Sequence, residues 1–411
     1  MTLDQSAGPA GGRWSLLRDW SYLRMWSFGL MVSTVRWLEM LVVGVYVFDV
    51  TGSPFQVALM LVLRLLPLTI FGAIAGDVAD KLGRVRLMVI GLLGMIVVSL
   101  TIGALVTSDR IEVWHIALAT VASGLLWSTD YPTRRLLLGN IAGTDRIGTA
   151  MSLDAITNNG TRMLGPLLGG SLMAALGLAG AFYVAAGLYA GALLVLVGIR
   201  IAAEPRMPSG GVLANVTEGL RYLRTDRNLM SLMAVTVVFN LWGFPFMTMV
   251  PVIGRETFVL DEFRVGLLAA CEGVGAMTGA FLIAAFAQPR HFRRLYVGGL
   301  GIYLSLMIVF AQAPGPIAAG LAMMVLGLGG AGFSAMQSTL VFLNAPDAMR
   351  SRMLGVLSVC IGTGPIGFLH VGWLASVLSP TTAITIIAVE GIVALLVCCY
   401  VWPRVIAPQA S

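Results

Sequence analysis

Twelve apolar runs, each about as long as a bilayer-crossing helix, leave this chain little choice of solvent. They lie near residues 25–47, 55–75, 87–107, 113–132, 149–175, 178–200, 229–252, 265–286, 295–312, 317–341, 353–378 and 381–402. A backbone in hydrocarbon must satisfy its own N–H and C=O groups, which a run of ~20 apolar residues does as a helix. Charged residues make up 11% of the chain, against about 25% in a soluble domain. The sequence therefore predicts an all-α membrane protein with twelve transmembrane helices.

The formal net charge of +6 raises the question of nucleic acid, and its distribution answers it. With the N-terminus in the cytoplasm, 20 of the 26 Lys and Arg residues fall on the cytoplasmic side. Arg110, Arg255 and Arg264 fall outside, and Arg36, Arg64 and Arg162 lie within segments. This is the positive-inside bias, so both termini are expected in the cytoplasm and no nucleic-acid partner is expected. Residues 1–24 are polar and Gly-rich, without the basic–apolar–small order of a cleaved signal. Trp14, Leu17, Trp20 and Tyr22 within them predict a short segment at the membrane surface. The four cysteines sit in apolar runs without C-x-x-C spacing and read as small buried side chains. The three histidines are too scattered for a zinc site, and His115 and His370 read as structural. No metal and no cofactor are expected. Asn215-Val216-Thr217 is a glycosylation sequon that falls on the cytoplasmic side.

The longest break, 201–228, is rich in Pro, Gly and Arg and holds an amphipathic stretch around Val216–Leu223. It divides the chain into an N-terminal segment (1–24), a six-helix bundle (25–200), a linker (201–228), a second six-helix bundle (229–402) and a tail (403–411). An internal repeat supports the division. Residues 55–59 (FQVAL) align without gaps on 263–267 (FRVGL), and the same register sets Arg84-Val85-Arg86-Leu87 opposite Phe292-Arg293-Arg294-Leu295. A second block pairs Asn140 to Arg146 with Asn344 to Arg350.

Between the second and third runs lies a polar clasp, Gly76-Asp77-Val78-Ala79-Asp80-Lys81-Leu82-Gly83-Arg84-Val85-Arg86. Lys81 is the only lysine of the chain, and with Asp80 before it and Leu82 after it there is no Gly-Lys-Ser/Thr phosphate loop. Any transport must then be driven by ion gradients. Gly76 lets two helices approach closely, and Gly83 permits a tight turn. Asp80 can offset the positive end of a neighbouring helix, while Arg84 and Arg86 can pair with carboxylates at cytoplasmic helix ends. The charge order predicts Arg84 beside Asp130 and Asp80 near Arg134. In the second half Gly76, Asp80 and Gly83 align with Ala284, Gln288 and His291, so gating chemistry is expected in the first half.

The clasp matches G-x-x-x-D-[RK]-x-G-R, the signature of the loop between helices 2 and 3 in the major facilitator superfamily of secondary transporters, which this chain resembles. Further on come Asp130-Tyr-Pro-Thr-Arg134-Arg135, Ala150-Met-Ser-Leu-Asp154 and Arg162-Met-Leu-Gly165-Pro166-Leu-Leu-Gly169-Gly170. With Ser33, Trp37 and Thr51-Gly52-Ser53-Pro54 they are similar to the enterobactin-exporter and macrolide-efflux branch. The resemblance implies two six-helix bundles with helices 1, 4, 7 and 10 around a central cavity and helices 3, 6, 9 and 12 outermost. It also implies a monomer in a bacterial inner membrane. The Gly165-Pro166 element resembles the fifth-helix motif of antiporters. Physically, the proline removes a helix hydrogen bond and the glycines permit close packing, so this helix can bend and seal against a partner. The chain departs from the branch at Asp154, a position usually Asn, and in carrying Arg36 and Glu39 in the first helix.

Each charge inside a membrane costs about 2.5–3.5 kcal/mol on insertion scales, so such residues are paired, wetted or functional. Arg36, Glu39, Arg64, Asp154, Arg162, Glu272 and Glu390 qualify. Arg36 and Glu39, three apart, can neutralise each other. Asp154, Asn158 and Arg162 form one polar stripe, and the repeat sets Glu272 opposite Arg64, as if both faced one cavity. Asn240 is a further polar candidate. Three arginines face four acids, and an unmatched carboxyl in a low-dielectric site tends to hold a proton. Glu272 is the first choice for that role and Glu39 the second, while Glu390 is expected at the periphery. Trp37, Trp127, Phe239, Trp242 and Phe246, with Met247, are candidates for an adaptable cavity surface. The reading is a proton-coupled exporter of a lipophilic or amphipathic small molecule, with no enzymatic activity. Uptake and lipid flipping are rival activities of the same scaffold, and a non-transporting receptor is the rival class.

Overall fold

The computed structural model describes residues 13–67, 83–143, 146–197, 212–346 and 349–406, and nearly all of them are helical. A short 3-10 turn, Arg13–Arg18, leads into α1 (Trp20–Thr51). α1 starts earlier than its apolar run because Asp19 caps it, accepting from the Ser21 and Tyr22 amides at 3.0 and 3.2 Å. Trp20 is exposed, but Leu16 and Tyr22 are fully buried in the core of the first half rather than lying on a membrane surface. Gly52 (φ 60°) ends α1, and Ser53 opens α2 (Pro54–Pro67), its Oγ accepting from the Gln56 amide. Gly76, Asp80 and Lys81 of the clasp lie outside the described residues. Gly83 adopts φ 87°, a region that favours glycine, at the entry to α3 (Arg84–Thr107).

α4 (Val113–Ala142) continues about three turns past the expected 113–132. Charges expected at its end lie well inside it, and Asp130 and Arg134 are buried there against partners from other helices. α5 (Ile147–Val197) is long enough to cross a bilayer twice and breaks at Gly177 (φ 67°, ψ −175°), a conformation closed to residues with a side chain. Then follow α6 (Val212–Leu223), α7 (Arg227–Val238) and α8 (Met249–Glu256). α7 and α8 form one apolar passage interrupted by a π-type turn at Phe239–Gly243 and a 3-10 turn at Phe244–Thr248. Pro245 lies inside that interruption, where its missing N–H breaks the helical ladder.

The chain closes with α9 (Glu262–Phe286), α10 (Phe292–Ala311), α11 (Pro316–Asn344), α12 (Arg350–Ile361), α13 (Gly364–Val377) and α14 (Pro380–Val401). Proline opens α2, α11 and α14, where its absent donor costs nothing. Among the described residues nine helices are long and apolar enough to cross a membrane. Large side chains such as Leu194, Phe281 and Ile317 stand exposed on the outer surface, as suits a lipid solvent.

The sequence repeat recurs in the elements. Arg84 and Phe292, paired in the alignment, each begin a helix. Ser53 and Asp261, equivalent in the same register, each cap one. Arg146 and Arg350, paired in the second block, fall at the starts of α5 and α12. α6 extends further than the amphipathic stretch and docks on α12, where Arg352 pairs with Glu218 at 2.9 Å.

Candidate functional site

The interior charges find each other, though not in the combinations the sequence favoured. Arg36 of α1 reaches Asp130 of α4 at 3.3 Å and lies over the Trp127 ring, 4.8 Å from its centroid. Glu39 turns instead to Arg64 of α2 (2.9 Å), so Arg36 and Glu39 neutralise other partners rather than each other. Glu39 Oε2 also accepts from Ser123, and its Oε1 accepts from the Tyr189 hydroxyl at 3.1 Å. Four elements of the first half thereby converge on one carboxylate. Ser123 and Tyr189 were missed because an isolated hydroxyl in an apolar run carries no sequence signal.

Asp154 of α5 is held by Arg134 and by Arg135 Nε (3.0 Å) of α4. The expected pairing of Asp130 with Arg84 is replaced at this carboxylate by Arg36, and Arg134 engages Asp154; Asp80 lies outside the described residues. Asn158 is half-buried between Asp154 and Arg162, and Asn240 donates to the Thr236 carbonyl at 2.9 Å.

Glu272 is not unmatched. Arg162 Nη2 lies 2.6 Å from its Oε1, joining α5 to α9 and hence the first half to the second. Arg64, opposite Glu272 in the repeat, serves Glu39, so the two do not share a cavity as a charge pair. The Arg162 guanidinium also covers the Trp37 ring at 5.4 Å. Glu390 accepts from Trp242 Nε1 at 2.9 Å, and His370 stands 3.6 Å from it.

The fifth-helix motif explains how α5 and α9 come close enough for that pair. A side chain at Gly170 would sit 2.5 Å from the Glu262 carbonyl oxygen, and one at Gly266 would sit 2.6 Å from that of Pro166. Gly165 and Gly169 meet α1 in the same way, against Trp37 and Leu38. α5 is thus clamped between α1 and α9. Near the same end a second contact joins the halves: Arg255 reaches Asp49 through Nε (2.8 Å) and Nη2 (3.0 Å), and donates to the Leu260 carbonyl.

Below this closure lies a small cavity. Trp37, Met40, Met60 and Arg64 line it from the first half, and Met247 and Thr248 from the second. Of the five expected cavity aromatics only Trp37 lines it. Phe246 is fully buried against Tyr303 and Phe310, and Phe239 stacks on Phe333 at 4.3 Å. Trp242 is occupied with Glu390 and Trp127 with Arg36, because helix rotation, invisible in composition, decides which face each ring meets.

Comparison with known proteins agrees with this architecture. The transmembrane secretion effector family model matches residues 11–409. An uncharacterized MFS-type transporter of Bacillus subtilis, YfiS, is 27% identical, the match spanning half of each chain. The multidrug efflux pump Tap of Mycolicibacterium fortuitum is 24% identical over 84% of this chain and 85% of its own. MdtG, a multidrug resistance protein of Enterobacter lignolyticus, is 25% identical over 69% of this chain and 68% of its own. In fold, the nucleoside transporter NupG superposes with a TM-score of 0.72 at 14% identity, covering 92% of this chain and 98% of that one. A bacterial homologue of the human lysosomal transporter Spinster, solved inward-facing and unoccupied, gives 0.71 at 14% identity over 98% of this chain and all of that one. With its helical repeat, its inter-half ion pair and a family match spanning nearly its whole length, this multi-pass membrane chain belongs to the major facilitator superfamily of transporters, in the transmembrane secretion effector family.

Proposed function

We propose that this transporter exports a lipophilic or amphipathic small molecule by alternating access, driven by protons entering in exchange. The single observation that carries the reading is the Arg162–Glu272 pair. It bridges the halves at a membrane-buried seam, one helical turn from the cavity residues Pro166 and Ala269. Twelve crossings in two six-helix bundles, with both termini and the 201–228 linker in the cytoplasm, complete the proposal.

In this reading the described state is sealed at the outer end by the α5–α9 glycine contact and the Asp49–Arg255 pair. Glu272 is unprotonated and paired in this state. Once the outer end opens, a proton from outside takes the carboxylate in place of Arg162. It is carried inward on the return and is lost to the cytoplasm as the pair re-forms. Substrate in the neighbouring cavity competes with the same closure. Breaking one side of a buried pair typically costs about 3–5 kcal/mol, enough to invert a two-state equilibrium.

The test uses everted membrane vesicles made acid inside, with fluorescent apolar probes of differing charge: anilinonaphthalene sulfonate, Nile red and ethidium. Accumulation of any of them that depends on this protein and collapses with nigericin is expected. Accumulation confined to right-side-out vesicles would reverse the direction to uptake, and insensitivity to the pH gradient would remove the proton.

A further inference from the structure

We infer that the cavity selects apolar molecules bearing an anionic oxygen group, such as a carboxylate, and disfavours cations of the same size. The inference rests on the cavity being the substrate site of the proposed exporter, and it adds the charge that this site prefers.

Hydrogen-bond capacity at the wall carries the argument. Arg64 lines the cavity and is the only charged residue that does so among the described residues. Its counter-charge, Glu39, is absent from the cavity lining and, with Arg64, borders a separate, smaller recess. Glu39 is well supplied, since Oε2 accepts from Arg64 and Ser123 and Oε1 accepts from Tyr189. Arg64 is not. Its Nη2 is used, but its Nε–H is buried with no acceptor among the described residues. Trp37, which also lines the cavity, likewise has its Nε1–H buried without an acceptor among them.

Two residues of the cavity lining, one of them cationic, thus each hold a buried donor without a partner, in a cavity otherwise formed largely by Met, Leu, Val and Pro. A buried donor without a partner carries its full desolvation penalty, which an incoming acceptor removes. A carboxylate gains charge-assisted hydrogen bonds there. An ammonium of equal size meets Arg64 instead, with no acid among the described residues of the cavity wall to offset it. The hydroxyls of Thr120 and Thr248 give their protons to the Ile116 and Pro245 carbonyls, so they offer a cation only neutral oxygens.

The test is equilibrium binding to the purified full chain in nanodiscs, with 1-naphthaleneacetate and 1-naphthylmethylammonium as probes of matched ring and opposite charge. The acetate should bind about tenfold tighter or better, a difference of ~1.4 kcal/mol. Trp37→Phe, which removes the N–H and keeps an aromatic ring at the wall, should weaken the acetate several-fold and leave the ammonium unchanged. Arg64→Lys keeps the charge Glu39 needs but loses Nε, and should also weaken the acetate. Equal affinities, a preference for the ammonium, no saturable acetate binding, or an acetate affinity untouched in both variants would each overturn the inference. Because no gradient or flux enters this measurement, its failure leaves the vesicle result standing. Conversely, anion-selective binding with flux only inward would sink export and keep the site.

Discussion

Replacing Glu272 by Gln removes one charge at nearly constant shape and leaves the Arg162 cation at the seam without its partner. The expected outcome is at least a tenfold loss of flux driven by a pH gradient, with probe binding retained, measured in proteoliposomes at matched protein content. A second substitution, Arg162→Gln in the same chain, cancels the unpaired cation. It should recover stability without recovering coupling, a non-additivity expected of residues in direct contact. Full gradient-driven flux in Glu272→Gln would remove the carboxylate from the proposed mechanism. That Glu272 needs a partner was readable from the sequence, since a carboxylate in an apolar run is costly enough to need a reason. Its partner was not. Arg64, Arg162 and Arg36 all sit within apolar runs, and only the rotation of each helix decides that Arg64 meets Glu39, Arg36 meets Asp130 and Arg162 meets Glu272. The charge count left out Asp130, Arg134 and Arg135, which the structure pairs with Arg36 and Asp154.

At the scale of elements, α5 and α9 touch through backbone, so this contact has no slack. A methyl group at Gly170 would meet the Glu262 carbonyl oxygen at 2.5 Å and the Gly266 Cα at 2.9 Å. Neither atom can swing aside as the end of a side chain can. Gly170→Ala should therefore hold α5 off α9 and shift the population toward states open at that end. The measurement is the rate at which an impermeant maleimide, added outside, labels a cysteine placed at Met247 on the cavity wall. The background is a chain with its four native cysteines replaced. A rise of about tenfold corresponds to ~1.4 kcal/mol of lost closure. Asp49→Asn should raise the rate less. The Arg255 and Asp49 side chains are 25% and 29% exposed, and ion pairs open to water contribute about 0–1 kcal/mol. A larger effect from Asp49→Asn than from Gly170→Ala would mean that charge, and not packing, closes this end. The glycine motif was legible beforehand because proline followed by spaced glycines has a direct physical meaning in a membrane helix. The Asp49–Arg255 contact was not, since its partners come from opposite halves and neither lies in a motif.

For the whole molecule, the apolar runs and their repeat carried most of the fold, because segment length and hydrophobicity are local properties that lipid makes decisive. What they misplaced were the ends: α1 begins within the expected surface segment and α4 outlasts its apolar run, each extended by polar contacts of its end residues. Orientation follows from a different property, the sidedness of arginine. Arg110, Arg255 and Arg264 gather at the end where α1 finishes and α9 begins, whereas the interhelical segments at the other end carry most of the basic residues. Insertion machinery and membrane potential retain basic loops on the cytoplasmic side, so the arginine-poor end is assigned to the outside. Single cysteines at Arg110 and Val259, both in exposed turns of that end, should react with an impermeant maleimide in intact cells. Cysteines at Thr225 and Arg290, in connections of the opposite end, should react only after the membrane is permeabilised. The reverse pattern would invert the topology and, with it, the direction in which a proton reaching Glu272 could drive a solute. A mixed pattern, in which Arg110 and Thr225 lie on one side, would break the six-and-six division on which the repeat and the inter-half seam both depend.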